Sequence, residues 1–196
     1  TSREIEPSQY LQPDGTIVML FRDQSSSFYK LVSVSKDRGE TWTKTTLTSF
    51  PDARTKQCAG NLPDGTSFIV SCPVPAKRRW PLVLHLSDDG KKFDKAILLR
   101  SGTPGDLPSR SYDGRYKTLG YSYPKAIVQK GKLYISYSTN KEDVECTIVT
   151  IAKPKTTTAQ KRKKYEFQRN LPVYADSLIA HLDYPMAWDN SGIKNR

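Results

Sequence analysis

This sequence predicts an all-β chain assembled from repeated, four-stranded units. Three observations predict it: a repeat of about fifty residues, Asp-Gly turns at matching places within the repeat, and no helical periodicity before residue 152. Pro13-Asp14-Gly15 recurs as Pro63-Asp64-Gly65, fifty residues later. Ser35-Lys36-Asp37-Arg38-Gly39 has an echo at Ser87-Asp88-Asp89-Gly90, fifty-two residues later, and a looser third unit turns at Lys130-Gly131. An apolar strand follows each turn, at Ile17–Phe21, Ser67–Cys72 and Lys132–Tyr137, and another comes after it, at Lys30–Ser35, Leu82–Ser87 and Cys146–Ile151. Asp-Gly between apolar runs marks a hairpin, because few residues tolerate the positive φ of a tight turn. About fifty residues holding some four short strands is the size of one β-propeller blade. About three blades therefore fill residues 1–152.

The most specific motif is Ser35-x-Asp37-x-Gly39-x-Thr41-Trp42, which matches the Asp box, Ser-x-Asp-x-Gly-x-Thr-Trp, at every defined position. Its chemistry is local. Ser and Asp bond the amides of their own turn, Gly takes an angle other residues avoid, and Trp is expected to pack under the hairpin. The motif is read as structural and not catalytic. The second copy lacks one spacer residue and carries Phe93 in place of Trp.

Charge narrows the function. Of the net +11, +6 falls within Lys153–Lys164, which holds no acid, leaving +5 for the other 184 residues. That segment reads as a solvated basic linker, 153–165, and no aromatic side chains interleave it to stack on bases, so no nucleic-acid partner is expected. No run of about 18 apolar residues occurs, which argues against a helical membrane span. The two histidines, His85 and His181, lie far apart, so neither a metal site nor a histidine triad is expected, and no cofactor is called for. Cys58, Cys72 and Cys146 are too few for a disulfide scaffold. Cys58 and Cys72 flank a predicted turn and would either bridge in an exported protein or serve as small buried side chains. Thr1-Ser2-Arg3-Glu4 is no signal peptide, so the chain is expected to begin at a processed end or within a longer protein.

Residues 166–196 read as a short amphipathic helix with a docking segment, either packing back on the blades or opening a second domain. They loosely resemble the leader of carbohydrate esterases of the α/β-hydrolase type. Gly120-x-Ser122-x-Pro124 fails the Gly-x-Ser-x-Gly pattern at its last position.

Across about 150 residues the order of motifs resembles the C-terminal half of the sialidase (neuraminidase) superfamily, whose six-bladed propellers carry Asp boxes. Glu6-Pro-Ser-Gln-Tyr-Leu-Gln-Pro-Asp14-Gly15-Thr-Ile-Val-Met-Leu-Phe-Arg22 has the shape of that family's glutamate-to-arginine stretch, and an Asp box follows it. Arg79, with Arg78 as a register alternative, precedes the next Asp-box strand, and Gly120-Tyr121-Ser122-Tyr123-Pro124 supplies the Gly-Tyr-Ser. The resemblance implies that Arg22 and Arg79 are two of three arginines holding a sugar carboxylate, a task suited to their planar fork. It implies Tyr121, ahead of Tyr123, as the nucleophile and Glu6 as its base. Sialidases are the glycosidases known for a tyrosine nucleophile, and a phenol of pKa near 10 needs such a base. Each residue has a plainer role open to it: a solvated Glu6, an Arg22 paired with Asp23, a basic turn at Lys77-Arg78-Arg79, and packing tyrosines. Pro124 and the doubled tyrosine depart from the family pattern and leave a different acidic or neutral sugar open.

Two functions follow as expectations. One is a secreted or periplasmic glycoside hydrolase acting on terminal, acidic sugars of glycans. The other is a non-catalytic propeller that binds carbohydrate or organises an assembly, since one fold hosts many functions. By the same resemblance the family's first arginine and its acid/base aspartate would precede Thr1. The chain is accordingly expected to need an N-terminal half or self-association.

Overall fold

The computed structural model describes residues 3–151. The basic linker and the helical tail expected at 153–196 lie outside the described residues. Eleven strands and no helix make up the described part, in three antiparallel meanders. The first blade is β1 (Glu4–Leu11), β2 (Ile17–Asp23), β3 (Tyr29–Ser35) and β4 (Thr46–Pro51). The second is β5 (Cys58–Asn61), β6 (Ser67–Ser71), β7 (Leu82–Ser87) and β8 (Lys95–Arg100). The third holds β9 (Tyr121–Gln129), β10 (Lys132–Thr139) and β11 (Asp143–Thr150).

The first strands, β1, β5 and β9, lie beside one another. Their direction is shared: Gln57, just before β5, donates to the Glu6 carbonyl at 3.0 Å, while Asn61 at its far end accepts from the Leu11 amide at 2.7 Å. A meander with parallel first strands sends all first-to-second turns to one end. At that end the two Asp-Gly turns are near copies. Gly15 and Gly65 take φ 85° and 90°, their amides donate to Gln12 and Leu62 at 2.9 Å, and Asp14 and Asp64 accept from Thr16 and Thr66. Lys130-Gly131 closes the third hairpin with positive φ at both central residues, the type I′ geometry.

The Ser35–Trp42 turn lies at this same end. Asp37 accepts from the Ser35 hydroxyl at 2.7 Å, from the Thr41 amide at 2.9 Å and from the Thr41 hydroxyl, which hold its carboxyl down at about 2. Trp42 stays 38% exposed and donates to the Gly39 carbonyl at 3.0 Å, so it lies against the turn instead of sealed under the hairpin. The degenerate copy is the better buried one. Asp89 accepts from Ser87, Lys91 and Lys92, and Phe93 meets Tyr10 edge-on at 5.6 Å.

Packing follows from blade position. β6 and β7 are buried along their whole length because the middle blade is covered on both faces, whereas β10 alternates buried and half-buried residues after an exposed Lys132. Ile69 joins Tyr10, Val18, Leu20, Val32, Phe50 and Phe93 between the first two blades. Its neighbours Phe68 and Val70 join Leu84, Leu133, Ile135 and Tyr137 between the second and third. The far face of the third blade is open. Ile127, Tyr134 and Ile148 form one cross-strand row there, with Ile127 and Ile148 exposed.

Lys30 is a charge inside this apolar setting. Its ammonium is fully buried, 2.9 Å from the Asp52 carboxylate, and donates to the Thr55 carbonyl and the Gln57 side chain at 2.7 Å. Burial pushes its pKa down and Asp52 opposes that shift. Gln57 then donates onward to the carbonyls of Glu6 and Leu20, tying the first two blades together. All three cysteines are free: Cys72 is a small buried side chain whose Sγ faces the Tyr121 carbonyl at 3.8 Å, and the Cys58–Cys72 bridge is not formed.

Candidate functional site

The repeated turns occupy one end of the sheets; the unlike loops gather at the other. There the end of β2, the β4–β5 and β6–β7 loops, the β8–β9 loop and the start of β9 meet around a cavity of about 260 Å³. Arg22, Ala53, Arg54, Lys77, Arg79 and Thr118 line it.

Glu6 sits at an irregularity in the β1–β2 pairing, between Ile5 and Ser8, with φ 54° and Pro7 after it. Tyr123 repeats that device in β9. It falls where the β9–β10 pairing shifts, takes φ 56°, and precedes Pro124. A proline has no amide to give the ladder, so each inner strand bulges where its proline stands. Positive φ at a residue with a side chain is strained, and such strain tends to be held at functional positions. The bulge also re-aims the side chain that precedes it.

Arg22 donates to the Glu6 carboxylate at 3.3 Å, while the neighbouring Asp23 is taken by a two-pronged pair with Arg3. Arg79 is anchored at both levels. Its carbonyl accepts from the Tyr121 amide at 2.7 Å and its guanidinium donates to the Ser122 hydroxyl at 2.9 Å. Gly120, at φ 108°, permits this approach: a Cβ there would lie 2.5 Å from the Arg79 oxygen. Burial, reinforced by the charge of Arg22, lowers the Arg79 pKa, and Tyr123 and Glu6 act the other way. The register alternative, Arg78, packs over the Trp80 ring at 5.7 Å instead.

The two tyrosines differ sharply. Tyr121 is wholly buried, donates to the Asp106 carbonyl at 2.8 Å and meets Tyr137 edge-on. Burial raises its phenol well above the ordinary value, and the charge of Asp106 adds to that. Tyr123 is 42% exposed, with Arg79 at 6.0 Å and Lys141 at 5.6 Å from its ring centre.

Of the residues singled out from the sequence, Arg22 and Arg79 line the cavity, Glu6 pairs with Arg22, Tyr123 stands by Arg79, and Tyr121 is buried away from it. Sequence reasoning missed Arg54, Lys77 and Thr118 as lining residues. Lys77 had a signal, adjacency to Arg78-Arg79, whereas Arg54 stands alone in a loop. Among the described residues no group of three or more His, Cys, Asp or Glu side chains gathers as a metal site would.

Three antiparallel meanders with their first strands side by side are blades of a β-propeller, of the kind sialidases carry. The comparisons narrow that class: residues 1–135 match the BNR repeat-like domain, and the chain belongs to that family. Its fold is similar to the intramolecular trans-sialidase of Ruminococcus gnavus, solved with oseltamivir carboxylate, at 19% identity and a TM-score of 0.50, covering 68% of this chain and 28% of that one. The leech intramolecular trans-sialidase, complexed with 2,7-anhydro-Neu5Ac, aligns at 17% identity and 0.52, covering 74% and 23%. A protein of unknown function from Dyadobacter fermentans aligns at 20% and 0.51, covering 76% and 38%. This chain therefore spans well under half of each of these. No curated protein matches it significantly.

Proposed function

We propose that this chain carries part of the active site of a sialidase-like glycoside hydrolase that takes an acidic sugar of a glycan, in an exported protein. Arg22 and Arg79 hold the sugar's carboxylate, Tyr123 is the nucleophile, and Glu6 is its base. The observation that carries this reading is the pair of proline-marked bulges. The two strained residues of the inner strands adjoin the cavity arginines: Glu6 accepts from Arg22 at 3.3 Å, and the Tyr123 ring centre lies 6.0 Å from Arg79. Arg79 is the link, since it feels both of them electrostatically. Tyr121 is passed over because its hydroxyl is buried and already donating. In this chemistry the Tyr123 oxygen bonds to the anomeric carbon, its proton goes to Glu6, and the glycosidic oxygen leaves with a proton from an acid. Two proteins of similar fold, one solved with oseltamivir carboxylate and one with 2,7-anhydro-Neu5Ac, support the substrate class.

A second reading has its own support. Among the described residues no carboxylate lines the cavity to serve as that acid, and Glu6 already engages Arg22, so the site also suits binding of an acidic sugar without cleavage. One experiment tests the shared core. Arg22→Ala and Arg79→Ala should each weaken binding of an acidic monosaccharide by about 2–5 kcal/mol, as loss of one partner from a charge pair does. A neutral analogue should lose far less. Equal losses for both sugars would refute carboxylate recognition. Turnover of an acidic glycoside by the protein, lost in Tyr123→Phe and kept in Tyr121→Phe, separates catalysis from binding.

A further inference from the structure

A path of tyrosines and cations leads away from the cavity. Arg79, in its wall, lies 6.0 Å from the Tyr123 ring, and Lys141 lies 5.6 Å from the same ring. The Lys141 ammonium donates to the Tyr116 carbonyl at 2.8 Å, and the Lys117 ammonium donates back to the Lys141 carbonyl at 2.7 Å. Lys117 then reaches within 5.8 Å of the Tyr112 ring, and Arg115 within 5.4 Å of the Tyr116 ring. Tyr112 and Tyr116 are 68% and 73% exposed.

Their exposure is held in place. Glu142 accepts from the Ser111 and Tyr112 amides at 2.9 Å, and Asn140 donates to the Pro108 carbonyl at 2.8 Å. The β8–β9 loop is thus braced against the turn after β10 while its rings stand in water. Tyr116 and Tyr112 each have a cation over the ring and remain mostly exposed. The acids along the path are engaged: Glu142 by those amides and Lys117, and Asp113 by Arg110. The track keeps a net positive charge.

We propose that this track, from Tyr123 through Lys141, Tyr116 and Lys117 to Tyr112, binds an acidic glycan chain running out of the cavity. The ligand is then a polyuronate-like oligosaccharide and not a lone terminal sugar. The apolar faces of successive sugar rings stack on the exposed tyrosine rings, and their carboxylates meet the cations. This rests on the reading of the cavity as an acidic-sugar site. A cavity of about 260 Å³ takes one sugar ring, so further rings of a chain have to lie outside it.

The test is calorimetry on the whole chain with galacturonate, its α-1,4-linked dimer and tetramer, maltotetraose and an oligothymidylate matched in charge to the tetramer. Affinity should rise at least tenfold from galacturonate to its tetramer. The Tyr112→Ser/Tyr116→Ser double variant, whose rings are exposed and whose circular dichroism should be unchanged, should lose roughly tenfold for the tetramer, the scale of one stacked ring. It should keep its affinity for galacturonate. A flat ladder, an unaltered double variant, equal binding of maltotetraose, or tighter tyrosine-dependent binding of the oligothymidylate would each overturn the proposal. Galacturonate binding left unchanged by Arg22→Ala, with the rise from dimer to tetramer and its tyrosine dependence intact, would sink the cavity reading and leave the track standing.

Discussion

Gly120→Ala tests the contact on which the site is built. The new Cβ would stand 2.5 Å from the Arg79 carbonyl oxygen and 2.8 Å from its Cβ, at a φ of 108°. Holding a side chain at such an angle costs about 1–3 kcal/mol. Overpacking against backbone adds about 1–3 more. Arg79 cannot retreat freely, because its oxygen holds the Tyr121 amide and its guanidinium holds Ser122. The total, about 2–6 kcal/mol, is a large fraction of the roughly 5–15 kcal/mol that keeps a domain folded. Gly15→Ala is the control: φ is 85°, but nothing lies within 4 Å of its would-be Cβ, so strain alone should cost about 1 kcal/mol. Urea unfolding of both variants gives the comparison, with the denaturant slope unchanged. If Gly120→Ala is no more destabilised than Gly15→Ala, the close approach of Arg79 to β9 is wrong, and the site geometry with it.

Burial holds the His85 pKa down to about 3, beside the Phe50 ring and with Nε2 unpartnered. The unfolded chain therefore binds a proton between about pH 6.5 and 3 that the folded chain does not. This stability is full above pH 6.5 and falls on acidification at up to about 1.4 kcal/mol per pH unit. His85→Phe should flatten that part of the stability–pH profile, and identical slopes in the two proteins would contradict the assignment. The open face at Ile127 and Ile148 should make the isolated chain self-associate, giving a light-scattering mass above that of a monomer. Ile127→Lys with Ile148→Lys should return it to monomer; a monomeric parent would remove the argument.

The blades were legible in the sequence because their signals are local. Asp-Gly turns and period-two apolar runs need no distant partner, and the strands after each turn appear where the spacing puts them. The order of motifs singled out Arg22 and Arg79, which line the cavity, and Glu6, which pairs with Arg22. The choice between Tyr121 and Tyr123 was not legible, because it depends on which residue the bulge turns outward. Pro124 held the signal, as Pro7 did for Glu6, but a lone proline reads as a departure until the ladder shows two in equivalent places. Lys30 left a fainter mark, a charge sharing the strand face of Val32 and Val34, which pack into the core. Its partners, Asp52 and Gln57, come from a loop whose path no periodicity announces. Arg54 belongs to that same loop.

The Lys30–Asp52 pair also constrains how this molecule can change over generations. Losing either member alone strands a buried charge at about 3–5 kcal/mol, so the two positions are replaceable only together. Gln57 extends the tie into the neighbouring unit, to the carbonyls of Glu6 and Leu20. A recombination breakpoint between residues 30 and 57 would separate partners that must arrive matched. Exchanging the first blade alone should therefore destabilise the fold, although the turns of the two blades look like interchangeable copies.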